Sequence, residues 1–131
     1  TRCPLPEVCP RLSAGFAALQ RQFPDAPLTL LSITLDPAYD TPAVLADYAR
    51  RYAADPARWR FLTGPNPAIQ LISGYFGLVY WPEEGLITHT SSVAVIGRDG
   101  RLKAVVEGLG FTAQQLGHVV RLQLERGSAD Q

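Results

Sequence analysis

At 131 residues and 14.3 kDa the chain has the length of a single domain, and about two-thirds of its unfolded surface can be buried at that size. Apolar residues make up 47% and charged residues 18%, a composition that excludes a disordered chain. Twelve basic residues balance twelve acidic ones, so there is no positive excess for a general nucleic-acid binder, and no apolar run approaches the roughly 20 residues that cross a bilayer.

The first predicted helix covers residues 10–23, where Leu12, Phe16, Leu19 and Phe23 recur at spacings of four, three and four. Pro10 suits its first position, which puts Cys9 at the N-cap. Residues 28–35 (LTLLSITL) are a continuous apolar run with β-branched members, the pattern of a strand buried on both faces, and Asp36-Pro37 ends it. Asp40-Thr41-Pro42 opens a second helix that runs to about Ala53, with Asp40 and Thr41 as caps. Residues 58–62 read as a short strand, and Asn66-Pro67 opens a helix through Ile69, Leu71, Ile72 and Tyr75. A strand over 78–81, a turn over 82–85 and a return over 86–88 follow. Residues 91–96 and 101–106 form a hairpin around Arg98-Asp99-Gly100. Thr112 and Gln115 make a capping box for the last helix, whose Leu116, Val119, Val120 and Leu124 share one face.

With one further strand expected ahead of Cys3, this order gives an α/β fold: a central mixed sheet flanked by helices. A cysteine motif at the start of the first helix, followed by βα and then ββα, is the thioredoxin-like arrangement. Residues 1–126 form one such domain, and residues 127–131 are expected to fray. Thr1-Arg2-Cys3 resembles neither an initiator nor a signal peptide, so a leader or anchor is expected upstream.

The chemistry is concentrated in few side chains. Cys3 and Cys9 are the only cysteines, and a disulfide between them would close too small a loop to staple the fold. A thiol at a helix N-terminus is expected to have a lowered pKa, because the helix dipole favours the thiolate. Pro4 and Pro6 stiffen the intervening loop. His89 precedes the 91–96 strand, whose start faces the first helix's N-terminus in a thioredoxin-like sheet, so it is expected beside the thiols. Asp36 ends the first visible strand at the sheet edge where α/β sites gather, as an acceptor for His89 or as a strand terminator. His118, mid-helix without a partner motif, serves as the contrast. Tyr75, Tyr80 and Trp81 are candidates to wall a site or to pack at its rim. Two thiolates and one imidazole make a soft, three-coordinate set that suits Cu(I), or Cu(II) with a fourth ligand. Structural zinc would ask for four ligands. The same two thiols could instead cycle between dithiol and disulfide as catalytic cysteines.

Five pieces of sequence carry a resemblance: Thr1-Arg2-Cys3-Pro4 with Val8-Cys9-Pro10, residues 32–41 (SITLDPAYDT), Phe61-Leu62-Thr63-Gly64, His89 ahead of its strand, and the Arg98-Asp99-Gly100 turn. Together they resemble the Sco/SenC family, thioredoxin-fold copper chaperones of cytochrome c oxidase assembly, over residues 1–124. The resemblance implies copper held by Cys3, Cys9 and His89, with Asp36 close to the metal and influencing it. It implies as partner the dinuclear copper site of oxidase subunit II, or another copper chaperone. It also implies an N-terminal membrane anchor, with the domain facing the periplasm or the mitochondrial intermembrane space. This chain leaves five residues between its cysteines where the family usually leaves three. The other roles expected of such a domain are a thiol–disulfide oxidoreductase that keeps the partner's cysteines reduced, and a redox or copper sensor.

Overall fold

The computed structural model describes residues 1–3, 8–83, 86–108 and 112–129. Pro4, Pro6 and the tip of the predicted 82–85 turn lie outside them. In chain order the elements are α1 (Cys9–Gln22), β1 (Leu30–Ile33), α2 (Pro42–Arg51), β2 (Trp59–Leu62), α3 (Asn66–Tyr75), β3 (Tyr80–Glu83), β4 (Leu86–His89), β5 (Ser92–Ile96), β6 (Leu102–Glu107) and α4 (Ala113–Ala129).

The local signals act largely as read. The Thr41 hydroxyl caps α2 by accepting from the Val44 amide at 3.3 Å. The capping box at α4 forms in both directions: the Gln115 amide donates to Thr112 Oγ1 at 3.2 Å and the Thr112 amide to Gln115 Oε1 at 2.8 Å. Gly100, at φ 72°, turns the β5–β6 hairpin in a conformation that favours glycine. Arg58 closes α1 by donating to the carbonyls of Gln20, at 3.2 Å, and Phe23, where a cation offsets the helix's negative end. One cap differs from expectation. Val8 is the N-cap of α1 and makes no side-chain capping bond, so Cys9 belongs to the first helical turn.

Trp59 sits at the centre of the core, 1% exposed, with Leu19 and Leu116 equally buried. Its ring meets Phe61 at 4.9 Å and the edge of Phe16 at 5.8 Å, while its indole N–H donates to Ser32 Oγ at 3.0 Å. Ala17 and Leu19 of α1, Leu116 of α4, Leu30 of β1 and Val93 of β5 belong to the same cluster.

The strands form three ladders among the described residues. β1 and β2 pair in parallel, with Leu30 opposite Trp59 and Ile33 opposite Leu62. β3 and β4 pair antiparallel, with Tyr80 opposite His89, and β5 and β6 pair antiparallel, with Val93 opposite Val106. Both pairing types of a mixed sheet are therefore present. The parallel and antiparallel pairs face one another across a cavity of about 460 Å³, lined by Leu31, Ser32, Ile33 and Thr34 on one side and by Ser92, Val93, Ala94 and Ile96 on the other.

Candidate metal centre

Residues of the first turn of α1, the end of β4 and the loop after β1 line this cavity, Cys3, Cys9, Asp36 and His89 among them. Cys9 is the hub. Its sulfur lies 3.5 Å from His89 Nε2, and its side chain also bonds that of Cys3. The two cysteines are not joined as a disulfide, and each is partly buried.

The imidazole is oriented by its other nitrogen. Nδ1 lies 2.8 Å from the carbonyl oxygen of Thr90, which can only accept, so Nδ1 carries the proton. The Nε2 lone pair is then left facing the Cys9 thiol, which donates to it. A ring fixed through Nδ1–H to a backbone carbonyl is the arrangement that aims Nε2 at a metal. The β3–β4 ladder holds Thr90 in place, since its amide donates to the Val79 carbonyl at 3.0 Å and its hydroxyl accepts from the Val79 amide at 3.3 Å.

The Cys9 thiol does not have the lowered pKa expected of a helix N-terminus. It is pushed up to about 12, first by burial and then by its hydrogen bond with Cys3 and the charge Cys3 would carry. Desolvation and a neighbouring thiol outweigh a dipole whose effect fades within one turn. At neutral pH Cys9 rests as a protonated thiol hydrogen-bonded to Cys3. Among the described residues no three His, Cys, Asp or Glu side chains close around a single point; the donors form two contacts that share Cys9.

Asp36 lines the same cavity, and its carboxylate is occupied by Arg2, whose Nη2 and Nε donate to Oδ2 at 2.5 and 2.9 Å. The same guanidinium lies 4.4 Å from the centroid of the Tyr39 ring. Asp40, read from sequence as a helix cap, does something else. It is 1% exposed and accepts from Thr34 Oγ1 at 2.5 Å, from Thr1 Oγ1 at 2.5 Å and from the Thr1 ammonium at 2.8 Å. Burial raises its pKa, but the hydrogen bonds it accepts outweigh this and hold the carboxyl below the usual range. Asp40 therefore ties the approach to Cys3 onto the end of β1.

Sequence reasoning also missed Tyr48, which shares a hydrogen bond with Ser13 Oγ at 3.2 Å inside the cavity and whose phenol pKa is raised, chiefly by burial. The spacing of Leu45 and Tyr48 on α2 and of Tyr52 at its C-cap was its available signal. Tyr75, Tyr80 and Trp81 do not line the cavity, and His118 is exposed on α4.

The SCO1/SenC family model matches residues 1–123. This chain belongs to the SCO1/SenC family. A Stutzerimonas stutzeri protein named for copper binding is 34% identical over 111 residues, covering 79% of this chain and 52% of that protein. Arabidopsis thaliana ScoI, solved with copper bound, superposes with a TM-score of 0.80 at 17% identity, over 93% of this chain and 78% of that one. BsSco, a member of the Sco family of cytochrome c oxidase assembly proteins in which a disulfide switch was identified, gives 0.76 at 25% identity, over 95% and 75%. The SCO1/SenC fold is thioredoxin-like, as the order of elements predicts. The chain spans just over half the length of the curated SCO1/SenC relatives it matches. No helix among the described residues is long and apolar enough to cross a membrane.

Proposed function

We propose that this domain carries one copper ion as cargo, taken up by the sulfurs of Cys3 and Cys9 and by His89 Nε2, for assembly of the dinuclear copper site of cytochrome c oxidase subunit II. The observation that carries the reading is the Cys9–His89 contact: a lone pair with a fixed tautomer, aimed at a thiol already bonded to a second thiol. The donor set suits the cargo, because soft thiolates with an imidazole favour Cu(I). Uptake of Cu(I) by two thiols releases two protons, and a metal displaces a thiol proton that neutral pH leaves in place. The cavity mouth leaves the sulfurs partly open, so an acceptor's thiols can replace them one at a time. Support for copper comes from the relatives named for it or solved with it, and support for the acceptor from a family member assigned to oxidase assembly. The same reading places the domain on the periplasmic or intermembrane-space side of an anchoring membrane.

The test is Cu(I) titration of the reduced protein. One equivalent binds; Cys3→Ala and Cys9→Ala abolish binding, His89→Ala weakens it, and His118→Ala leaves it unchanged. Unaltered binding in the first three variants removes the proposal.

The contact between two reduced sulfurs favours a second reading, dithiol–disulfide exchange. Cys3 and Cys9 would form one S–S bond and pass two electrons and two protons to a partner disulfide, leaving it as a dithiol. The raised pKa of Cys9 speaks against it as the attacking group, since the thiolate is the nucleophile. His89→Ala separates the two: partner reduction unaffected by this variant, in a protein that binds no copper, selects the second.

A further inference from the structure

The helix that carries Cys9 is tied down at its far end. Gln20 of α1 donates to the Ala53 carbonyl at 3.0 Å and accepts from the Asp55 amide at 2.8 Å, and Arg58 closes the same end. Cys9 lies about 16 Å from Gln20 along the axis of an α-helix, so a swing of about 5° around that end displaces it by about 1.4 Å. Such a displacement undoes the 3.5 Å contact with His89 Nε2. Leu12 and Phe16 of the same helix pack against the core, but apolar contact is non-directional and tolerates a swing of this size.

Ser13 supplies the missing direction. It stands one helical turn after Cys9 on the same face of α1, and both side chains line the cavity. Ser13 is buried, and its Oγ lies 3.2 Å from Tyr48 Oη on α2. Tyr48 donates its own proton to Tyr52 Oη at 3.5 Å, so its oxygen accepts from Ser13. The phenol is itself held in place, with its ring 5.1 Å from that of Tyr52 and edge-on to Phe61 at 6.0 Å. A serine inside a helix otherwise bonds back to the carbonyl four residues earlier, which here belongs to Cys9. That back-bond bends a helix, and it would do so in the turn that carries the sulfur. Tyr48 draws the hydroxyl away from that turn and anchors it on α2. The same stretch of chain holds the approach to the other sulfur, since Asp36 accepts from Arg2 and Asp40 from Thr1 Oγ1, just ahead of Cys3.

We propose that Tyr48 is a positioning residue of the metal centre, fixing the first turn of α1 through Ser13 so that the Cys9 sulfur meets His89 Nε2. The proposal rests on the copper reading above, in which that sulfur and that nitrogen share one ion. Tyr48 supplies no ligand; its hydroxyl acts through the helix. A tyrosine with only a structural role would contribute to the stability of the fold and leave the folded site indifferent to its loss.

Tyr48→Phe tests this, because it keeps the ring and removes the hydroxyl alone. Two properties of the folded protein are read: the NMR shift of His89 Nε2 in the reduced, metal-free state, and Cu(I) affinity in competition with a chelator. Tyr48→Phe is expected to move the Nε2 resonance and to weaken Cu(I) binding about three- to tenfold, the worth of one hydrogen bond. Adding Ser13→Ala is expected to recover part of that loss, because the hydroxyl that would bond back to Cys9 is gone. Tyr52→Phe removes only the long outer bond and is expected to leave both readings at the parent's values. Readings unchanged in Tyr48→Phe, with only the denaturation midpoint lowered, overturn the proposal. An equal loss in Tyr52→Phe, or a double variant in which two losses simply add, overturns it as well. A parent that binds no Cu(I) removes the copper reading alone, since the metal-free Nε2 shift still decides whether Tyr48 places Cys9.

Discussion

The two sides of the candidate metal centre handle charge in opposite ways. On one, Cys9 and His89 meet through a thiol and an imidazole, and burial keeps the sulfur protonated. On the other, the carboxylates of Asp36 and Asp40 are each answered, by the Arg2 guanidinium and by the hydroxyls of Thr1 and Thr34. The difference teaches which side is free to react. The acidic side has already used its charge to hold the polypeptide before Cys3, whereas on the soft side the His89 ring nitrogen meets the Cys9 sulfur rather than a charged group. Asp36 shares the cavity with the thiols, but its visible work is to anchor Arg2.

The largest effect that can break this contrast is on the reactivity of Cys9. A pKa near 12 in place of 9.0 lowers the thiolate at pH 8 about a thousandfold, so alkylation of Cys9 is expected to be slow at that pH and still rising above pH 10. A pH–rate profile with iodoacetamide on a Cys3→Ala variant compared with the parent separates burial from the neighbouring thiol. If the profile of the parent levels off near pH 8, the soft side is not held protonated.

A smaller effect is expected on the acidic side. Asp40→Asn removes a buried carboxylate from three donors, and a loss of about 1–3 kcal/mol in denaturant unfolding is expected. The sign of the pH dependence follows from its lowered pKa. The contribution is complete above the unfolded carboxyl pKa of 3.8 and is lost as the pH falls through the lower folded value. Parent and variant are therefore expected to converge in stability as the solution is acidified below about pH 4. A gap that persists at pH 2 would assign the loss to packing instead.

The Arg2–Asp36 pair sharpens the comparison at its weakest point. Arg2 is 39% exposed, so Arg2→Ala is expected to cost no more than about 1 kcal/mol, and less at high salt. If its task is to place Cys3, the variant lowers Cu(I) affinity while unfolding barely moves. Affinity and stability falling together would mean a general loosening.

Much of this arrangement is legible in the amino-acid order because it depends on local rules. The Thr112–Gln115 box, the Thr41 cap, the Gly100 turn and the apolar spacing of α1 follow from backbone groups that need partners within one turn of their own residue. The nearness of His89 to Cys9 was legible only through topology, since 80 positions separate them and a known order of strands is needed to bring them together. The role of Asp40 was hidden for a related reason. An aspartate before Thr-Pro looks like a cap, and its burial depends on Thr1 and Thr34, which lie far away or across a turn. The pKa of Cys9 was misjudged because a helix N-terminus is visible in sequence, while the desolvation that outweighs it is not.

The sequence alone determined the type and order of the elements, the soft character of the thiols and imidazole, and the family motifs. These depend on side-chain chemistry and on hydrogen bonds spanning a few residues. Tertiary structure decided which nitrogen of His89 faces the sulfur, which aspartate is buried, and where the cavity lies between β1 and β5. Those outcomes arise from distances and solvent exclusion among segments remote along the chain, which no local pattern encodes.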